Sequence, residues 1–259
     1  MIYFDSLNPN KYAQLKKLLS PCEGRTNNGQ ILTKKRYGKG DGSYVLCPEL
    51  ILSDSAVLSY GIGEDKEGTT FERELAPNHP VFCYDPNPKS LEALWGVSCS
   101  FDTEALTKDN FKYHCAGLDE NGRNHILKMD VEGCEYDWLT DENMDLLIRC
   151  FGQFTIEVHG LIEEVPEGWV IEPAVMDAKK KLNKKVDFFA KLNKYFNLFH
   201  IHANNHAPRY VDFPDSLELT YLNKFCVHYM KPDLTRYPKE GLDEPNFGGR
   251  EEYLLDWWI

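Results

Sequence analysis

Ala56-Val57-Leu58-Ser59-Tyr60-Gly61-Ile62-Gly63 is an apolar run that stops on two closely spaced glycines. A short run of this kind, bounded by glycine, reads as a buried strand followed by a tight turn. In an open α/β sheet, ligands bind beyond the carboxyl ends of the strands, and glycine there lets the backbone approach them closely. The dinucleotide fingerprint G-x-G-x-x-G is not completed, because Lys66 stands at its third glycine position. Glu64 and Asp65 in the same turn would repel a pyrophosphate and would suit a cationic ligand.

The segments that follow repeat the pattern of an apolar run ending in a polar or glycine turn. Val81-Phe82-Cys83-Tyr84 reads as a second strand, ending at Asp85-Pro86. Phe111 to Cys115 reads as a third, stopping at Ala116-Gly117, and His125 to Met129 as a fourth, ending at Asp130. Phe154 to Val158, Phe199 to His202 and Leu217 to Asn223 read as the fifth, sixth and seventh. Helices are expected from Asn8 to Leu19, from Phe71 to Ala76, from Tyr136 to Cys150 and from Ala174 to Tyr195. Strand–helix alternation implies a parallel sheet, whereas the last two strands lack a helix between them and read as an antiparallel hairpin. Residues 1–35 read as an N-terminal helical extension, 36–230 as one α/β domain, and 231–259 as a tail. Trp257 and Trp258 are expected to pack on the body, since bare tryptophan in water is costly.

Composition narrows the function. The 259 residues are 42% hydrophobic and 27% charged, with a net charge of −12 that disfavours a nucleic-acid substrate. The eight cysteines show no C-x-x-C pairing, so neither a zinc knuckle nor a disulfide framework is suggested. No signal peptide and no run long enough to span a bilayer is visible, which reads as a cytoplasmic protein. The lysines of the long helix (Lys179, Lys180, Lys181, Lys184, Lys185) read as a solvated face. Nothing in the spacing specifies an oligomeric state.

Strand-end residues form two groups. Gly61, Gly63, Glu64 and Asp65 border a cofactor, Asp85 before Pro86 is placed to accept from ribose hydroxyls, and Ala116-Gly117 would offer backbone groups to an adenine edge. Asp130, Glu157, His159 and His202 end strands that run in one direction, so they converge beside the cofactor. Such a cluster fits a general base (Asp130, His159 or His202) acting on an acceptor hydroxyl. It also fits a divalent cation, Mg2+ or Mn2+, held by Asp130, Glu157 and His159. Glu135 reads as favourable charge at a helix N-terminus, with Glu132 open to either role, and Cys134 as a small packing residue.

The ordered set Lys39-Gly-Asp-Gly-Ser-Tyr-Val-Leu46, Leu58-Ser-Tyr-Gly-Ile-Gly63, Phe71-Glu72, Tyr84-Asp-Pro-Asn-Pro88, Leu127-Lys-Met-Asp-Val-Glu-Gly133 and Ile156-Glu-Val-His159 resembles the FkbM-type, methyltransferase-like proteins. His200-Ile-His-Ala-Asn-Asn205 and Leu217-Glu-Leu-Thr-Tyr221 extend the resemblance, which departs from the family's common Asp-Gly-Gly-Tyr at Ser43. It implies a Rossmann-like, seven-stranded methyltransferase fold and an S-adenosylmethionine-dependent O-methyltransferase. Phe71 and Pro86 join the implied cofactor set, as does Asp130. The implied acceptor is a small molecule or glycan, recognised by loops at about 161–173 and 206–214 and by the tail. Two other readings compete: a metal-dependent glycosyltransferase using Asp130-Val131-Glu132, and a catalytically silent binding module.

Overall fold

The opening run forms strand β1 (Val57–Tyr60), whose four residues are all buried. The computed structural model describes residues 2–3, 9–120, 122–162, 164–165, 172–210 and 213–259. Six further strands complete one sheet: β2 (Val81–Tyr84), β3 (Ser100–Asp102), β4 (His125–Met129), β5 (Phe151–Val158), β6 (Phe196–Ala203) and β7 (Leu217–Asn223). Their spatial order is β3-β2-β1-β4-β5-β7-β6. Strands β1 to β5 pair in parallel, and β7 runs antiparallel to both β5 and β6. This is the order and sense of the seven-stranded methyltransferase fold. The order reverses beside β1, which opens a crevice over the carboxyl ends of β1 and β4.

The helices are α1 (Pro9–Leu18), α2 (Thr70–Leu75), α3 (Lys89–Ala93), α4 (Phe111–His114), α5 (Asp141–Cys150) and α6 (Glu172–Tyr195). Two expectations are corrected here. Phe111 to Cys115 is helix α4, not a strand: Phe111 and Cys115, four apart, are both buried and so share a helical face. The third strand is the three-residue edge strand Ser100–Asp102, paired only with β2. The helix expected from Tyr136 starts instead at Asp141, because the Thr140 hydroxyl accepts the Asn143 N–H at 3.1 Å and caps it. Asn8 and parts of the two expected acceptor loops lie outside the described residues.

The two faces of the β4-β5-β7-β6 half differ in chemistry. One presents Leu127, Met129, Phe154, Ile156, Leu219 and Tyr221 and packs in the main core with Leu147 of α5 and Leu182 and Phe189 of α6. Burying each such side chain contributes roughly 1.5–3 kcal/mol. The other presents Lys128, Asp130, Thr155, Glu157, Glu218, Thr220 and His202, and among the described residues no helix packs over its β5-β7-β6 part. The strand Tyr44–Leu46 and the tail lie on this face instead. Gln153 exchanges two hydrogen bonds with the Cys47 backbone, at 2.8 and 2.9 Å. Asn246 of the tail donates to Glu218 at 2.6 Å and to Asp41 at 2.8 Å. At the chain end, the Trp257 and Trp258 indoles donate to the Lys16 and Thr235 carbonyls at 3.1 and 3.0 Å, while Ile259 is exposed. Among the described residues, no helix is long and apolar enough to cross a membrane.

Candidate active site

A cavity of about 460 Å³ lies over the crevice, walled by the turns after β1, β2 and β4 and by Ala105 and Leu106 beyond β3. Gly61 makes it possible. Its φ is +72°, and a Cβ there would sit 1.4 Å from the Asp130 carbonyl oxygen. Only glycine lets the β1 turn lie this close to the end of β4. Asp85 is nearly buried and joins two turns, its carboxylate accepting the Ile62 N–H at 2.6 Å and the Asn87 N–H at 2.7 Å. Each oxygen keeps a lone pair for a ligand hydroxyl. Glu64 accepts from the Asn87 amide at 2.6 Å and stands on the wall with Gly63 and Pro86.

Four expected cofactor residues lie elsewhere. Asp65 folds back to accept the N–H groups of Glu67 and Gly68, both at 2.9 Å, and is a loop former outside the cavity. Phe71 is fully buried, edge-on to Tyr44 with ring centroids 5.6 Å apart. Ala116 and Gly117 follow α4 and are not on the wall, because the strand they were expected to end is a helix; Ala105 and Leu106 take their place. Tyr60 and Tyr84, stacked at 5.1 Å, also line the cavity, with Val131 and Cys134. The tyrosines end strands β1 and β2, a position the sequence does display.

Asp130 belongs both to the cavity and to a cluster of charged groups at its edge. Its Oδ2 accepts from the Tyr44 hydroxyl at 3.2 Å. Its Oδ1 is buried with no hydrogen-bond partner among the described residues. Burial, and then the neighbouring Glu157 charge, push its pKa up to about 8. A carboxylate so poised can exchange a proton near neutral pH. Lys128 is buried beneath, its ammonium on the Gly61 carbonyl.

His159 stands just beyond β5, its Nε2 3.4 Å from Glu157, 3.6 Å from Glu132 and 4.0 Å from Asp130. Its Nδ1 lies 2.8 Å from Glu135, which also accepts the Gly133 N–H at 2.8 Å. Burial alone would lower the imidazole pKa; hydrogen bonds to Glu135 and Glu157 outweigh it and raise it to about 11. Glu157 is lowered, its burial outweighed by His159, Ser216 and Asn204. Glu135 is therefore no helix-terminal charge: it is fully buried beneath the imidazole. Its place three residues after Glu132 gave no hint of this, because the partner comes from another strand.

The metal set differs from expectation in one member. The group that brings a donor atom from each residue within 4.8 Å of the others is Asp130, Glu132 and His159, with Glu157 outside it. His202 is a larger departure. It is buried away from the cavity, with Nδ1 3.1 Å from Glu218 and Nε2 3.2 Å from Glu252 of the tail. Burial would lower its pKa, but the Glu218 charge and hydrogen bond raise it to about 10. Sealed off from the cavity, with both nitrogens engaged by carboxylates, it cannot reach an acceptor there and stands as a structural cation.

No family model matches the chain, and no curated protein is similar to it. Solved structures do resemble it. A fibrillarin/Nop5p complex aligns over 76% of this chain and 95% of its own at 13% identity, with a TM-score of 0.41. Aeropyrum pernix fibrillarin with natively bound S-adenosylmethionine aligns over 67% of this chain and 68% of its own at 11% identity, TM-score 0.37. Magnesium protoporphyrin IX methyltransferase from Synechocystis, with bound S-adenosylhomocysteine, aligns over 68% and 76% at 15% identity, TM-score 0.36. At these values the fold assignment stands on the strand order itself, and the FkbM-type family is not shown by these comparisons.

Proposed function

We propose that the cavity binds S-adenosylmethionine and that the chain transfers its methyl group to a hydroxyl of a sugar or glycan. The observation that carries this reading is the position of Asp130, which is at once a wall of the cavity and a member of the charged cluster at its edge. Asp85 supports it as an acceptor for ribose hydroxyls, and Glu64 as a counter-charge for a cationic cofactor. The acidic net charge and the motif resemblance favour a neutral, carbohydrate-like acceptor over a nucleic acid.

In this mechanism the acceptor oxygen attacks the methyl carbon in line, the new C–O bond forming as the S–CH3 bond breaks. The electron pair of that bond stays on sulfur, leaving S-adenosylhomocysteine. The hydroxyl proton passes to the Asp130 carboxylate, whose pKa near 8 matches the task. Tyr44 donates to the other side of that carboxylate and fixes its plane. His159, charged by its carboxylate neighbours, contributes positive potential where the alkoxide develops. In an alternative arrangement a divalent cation held by Asp130 and a neutral His159 would itself lower the acceptor hydroxyl's pKa, in place of the charged imidazole, and the orphaned Asp130 Oδ1 suits such a group.

Calorimetric titration with S-adenosylhomocysteine tests the reading. Micromolar binding is the expected result; folded protein that gives no heat with or without Mg2+ or Mn2+ would overturn it.

A further inference from the structure

We infer that Asp130, Glu132 and His159 form a divalent-cation site and that buried Glu135 is the positioning residue that aims its imidazole ligand. The inference deepens the methyl-transfer reading and rests on it for the cation's use, but the site itself is argued from geometry.

The donor set is two carboxylates and one imidazole, with ligand atoms within 4.8 Å of one another. Oxygen-rich sets with a single nitrogen favour Mg2+ or Mn2+ over the softer metals. The imidazole is not free to turn. Its Nδ1 is held at 2.8 Å by Glu135, and Glu135 is itself held by the Gly133 N–H at 2.8 Å. A carboxylate on the far ring nitrogen is how proteins fix the orientation and tautomer of a metal-binding histidine. Here it leaves Nε2 facing Asp130 and Glu132.

Two further observations select these residues from the four carboxylates around the ring. Asp130 Oδ1, buried and with no hydrogen-bond partner among the described residues, is the oxygen 4.0 Å from Nε2. A buried acceptor without a donor is costly, and a cation would satisfy it. Glu157 is the nearer carboxylate, but the oxygen it turns to His159 already accepts from Ser216 at 2.7 Å and Asn204 at 2.8 Å. It is committed to the protein. Glu132 has an 84% exposed side chain and lines the cavity, so it can close on a cation without breaking an internal contact.

Titration of the full chain with Mn2+, followed by electron paramagnetic resonance, tests this. The wild type should bind Mn2+, and pulsed spectra should show coupling to one imidazole nitrogen. Glu135→Ala should weaken binding about 10–100-fold and reduce that coupling, with Glu135→Gln recovering part of both. Glu132→Gln should weaken binding and keep the nitrogen signal. No Mn2+ binding by the wild type, Mn2+ bound without nitrogen coupling, or Glu135→Ala binding as tightly as the wild type would each overturn the proposal. If Glu135→Ala fails to fold, the wild-type spectrum still decides the ligand set. S-adenosylhomocysteine calorimetry on the same samples separates the two readings. Cofactor binding without Mn2+ binding sinks only the cation site, and the reverse result sinks only the methyl-transfer reading.

Discussion

His159 and His202 stand near the two ends of one buried polar row, and they carry nearly the same local chemistry. The row runs across the sheet from His202 to Glu218 and from Glu218 to Glu157, each opposite the next in strand register, and His159 follows Glu157 at the end of β5. Both imidazoles touch carboxylates through both ring nitrogens, and these carboxylates favour the protonated ring in each, at about 11 and about 10, a proton that a cation bound at His159 would displace. What differs is the cover. The His159 side chain is 23% exposed beside the cavity, whereas His202 is 2% exposed, closed in by Glu252 of the tail. An imidazole among carboxylates is thus no sign of catalysis by itself. Access to a cavity decides whether the group can act or only hold the fold together.

The largest effect should come from the reachable end. Asp130→Asn keeps the shape of the side chain and its contact with Tyr44 but cannot take a proton. Methyl-transfer turnover should fall by about 10²–10⁴-fold. Affinity for S-adenosylhomocysteine should stay within a few fold, because the cavity walls at Gly61 and Asp85, proposed to hold the cofactor, remain. Single-turnover transfer of a labelled methyl group would measure the first and calorimetry the second. Turnover at the wild-type level would remove Asp130 from the mechanism and with it the contrast drawn above.

At the sealed end the cost should appear in stability. His202→Leu removes the cation between Glu218 and Glu252 and leaves Glu218 buried without a counter-charge, held only by the Asn246 amide. Breaking a buried ion pair on one side costs about 3–5 kcal/mol. Urea denaturation should show a loss of that order, while the fraction still folded binds S-adenosylhomocysteine as the wild type does. A stable variant that has lost turnover would return His202 to the catalytic set.

How far the sequence could foresee this contrast depends on how local each partner is. The β1 run, its glycines, Asp85 and Asp130 are legible because strand ends and turn residues are written in consecutive positions. Phe111-Lys-Tyr-His-Cys115 alternates apolar and polar residues while also spacing Phe111 and Cys115 four apart, so it fits either period. The true edge strand, Ser100–Asp102, is too short to show one. Thr140 before Asp141-Glu142 was a readable helix start. His202 was misplaced for a different reason. Its strand end is correctly located, but Glu252 reaches it from fifty residues downstream, and no local pattern records that the tail folds over this face. Glu135 was missed in the same way, since its partner His159 lies on the neighbouring strand's end.

The smallest expected effect sharpens the comparison most, because it tests the cover and not the imidazole. The folded-state pKa of His202, about 10, lies above its ordinary 6.5, so its stabilising contribution is complete below about pH 6.5 and is lost as the pH rises toward 10. Glu218, held above its ordinary value mainly by burial, acts with the same sign at lower pH. His202 should therefore contribute a decline in wild-type stability across the window from 6.5 to 10, with a limiting slope of about 1.4 kcal/mol per pH unit. His159, raised to about 11, adds a decline of the same sign, which a variant at Glu252 shares. Glu252→Gln removes one of the two carboxylates that favour the charged ring. It should cost about 1–2 kcal/mol near pH 6 and bring the upper end of the declining window down, since the folded-state pKa falls toward its ordinary value. Denaturation curves collected at several pH values on both proteins would show the two profiles converging at high pH. Profiles that coincide throughout would mean that the tail does not close over His202, and that the two imidazoles differ in something other than their cover.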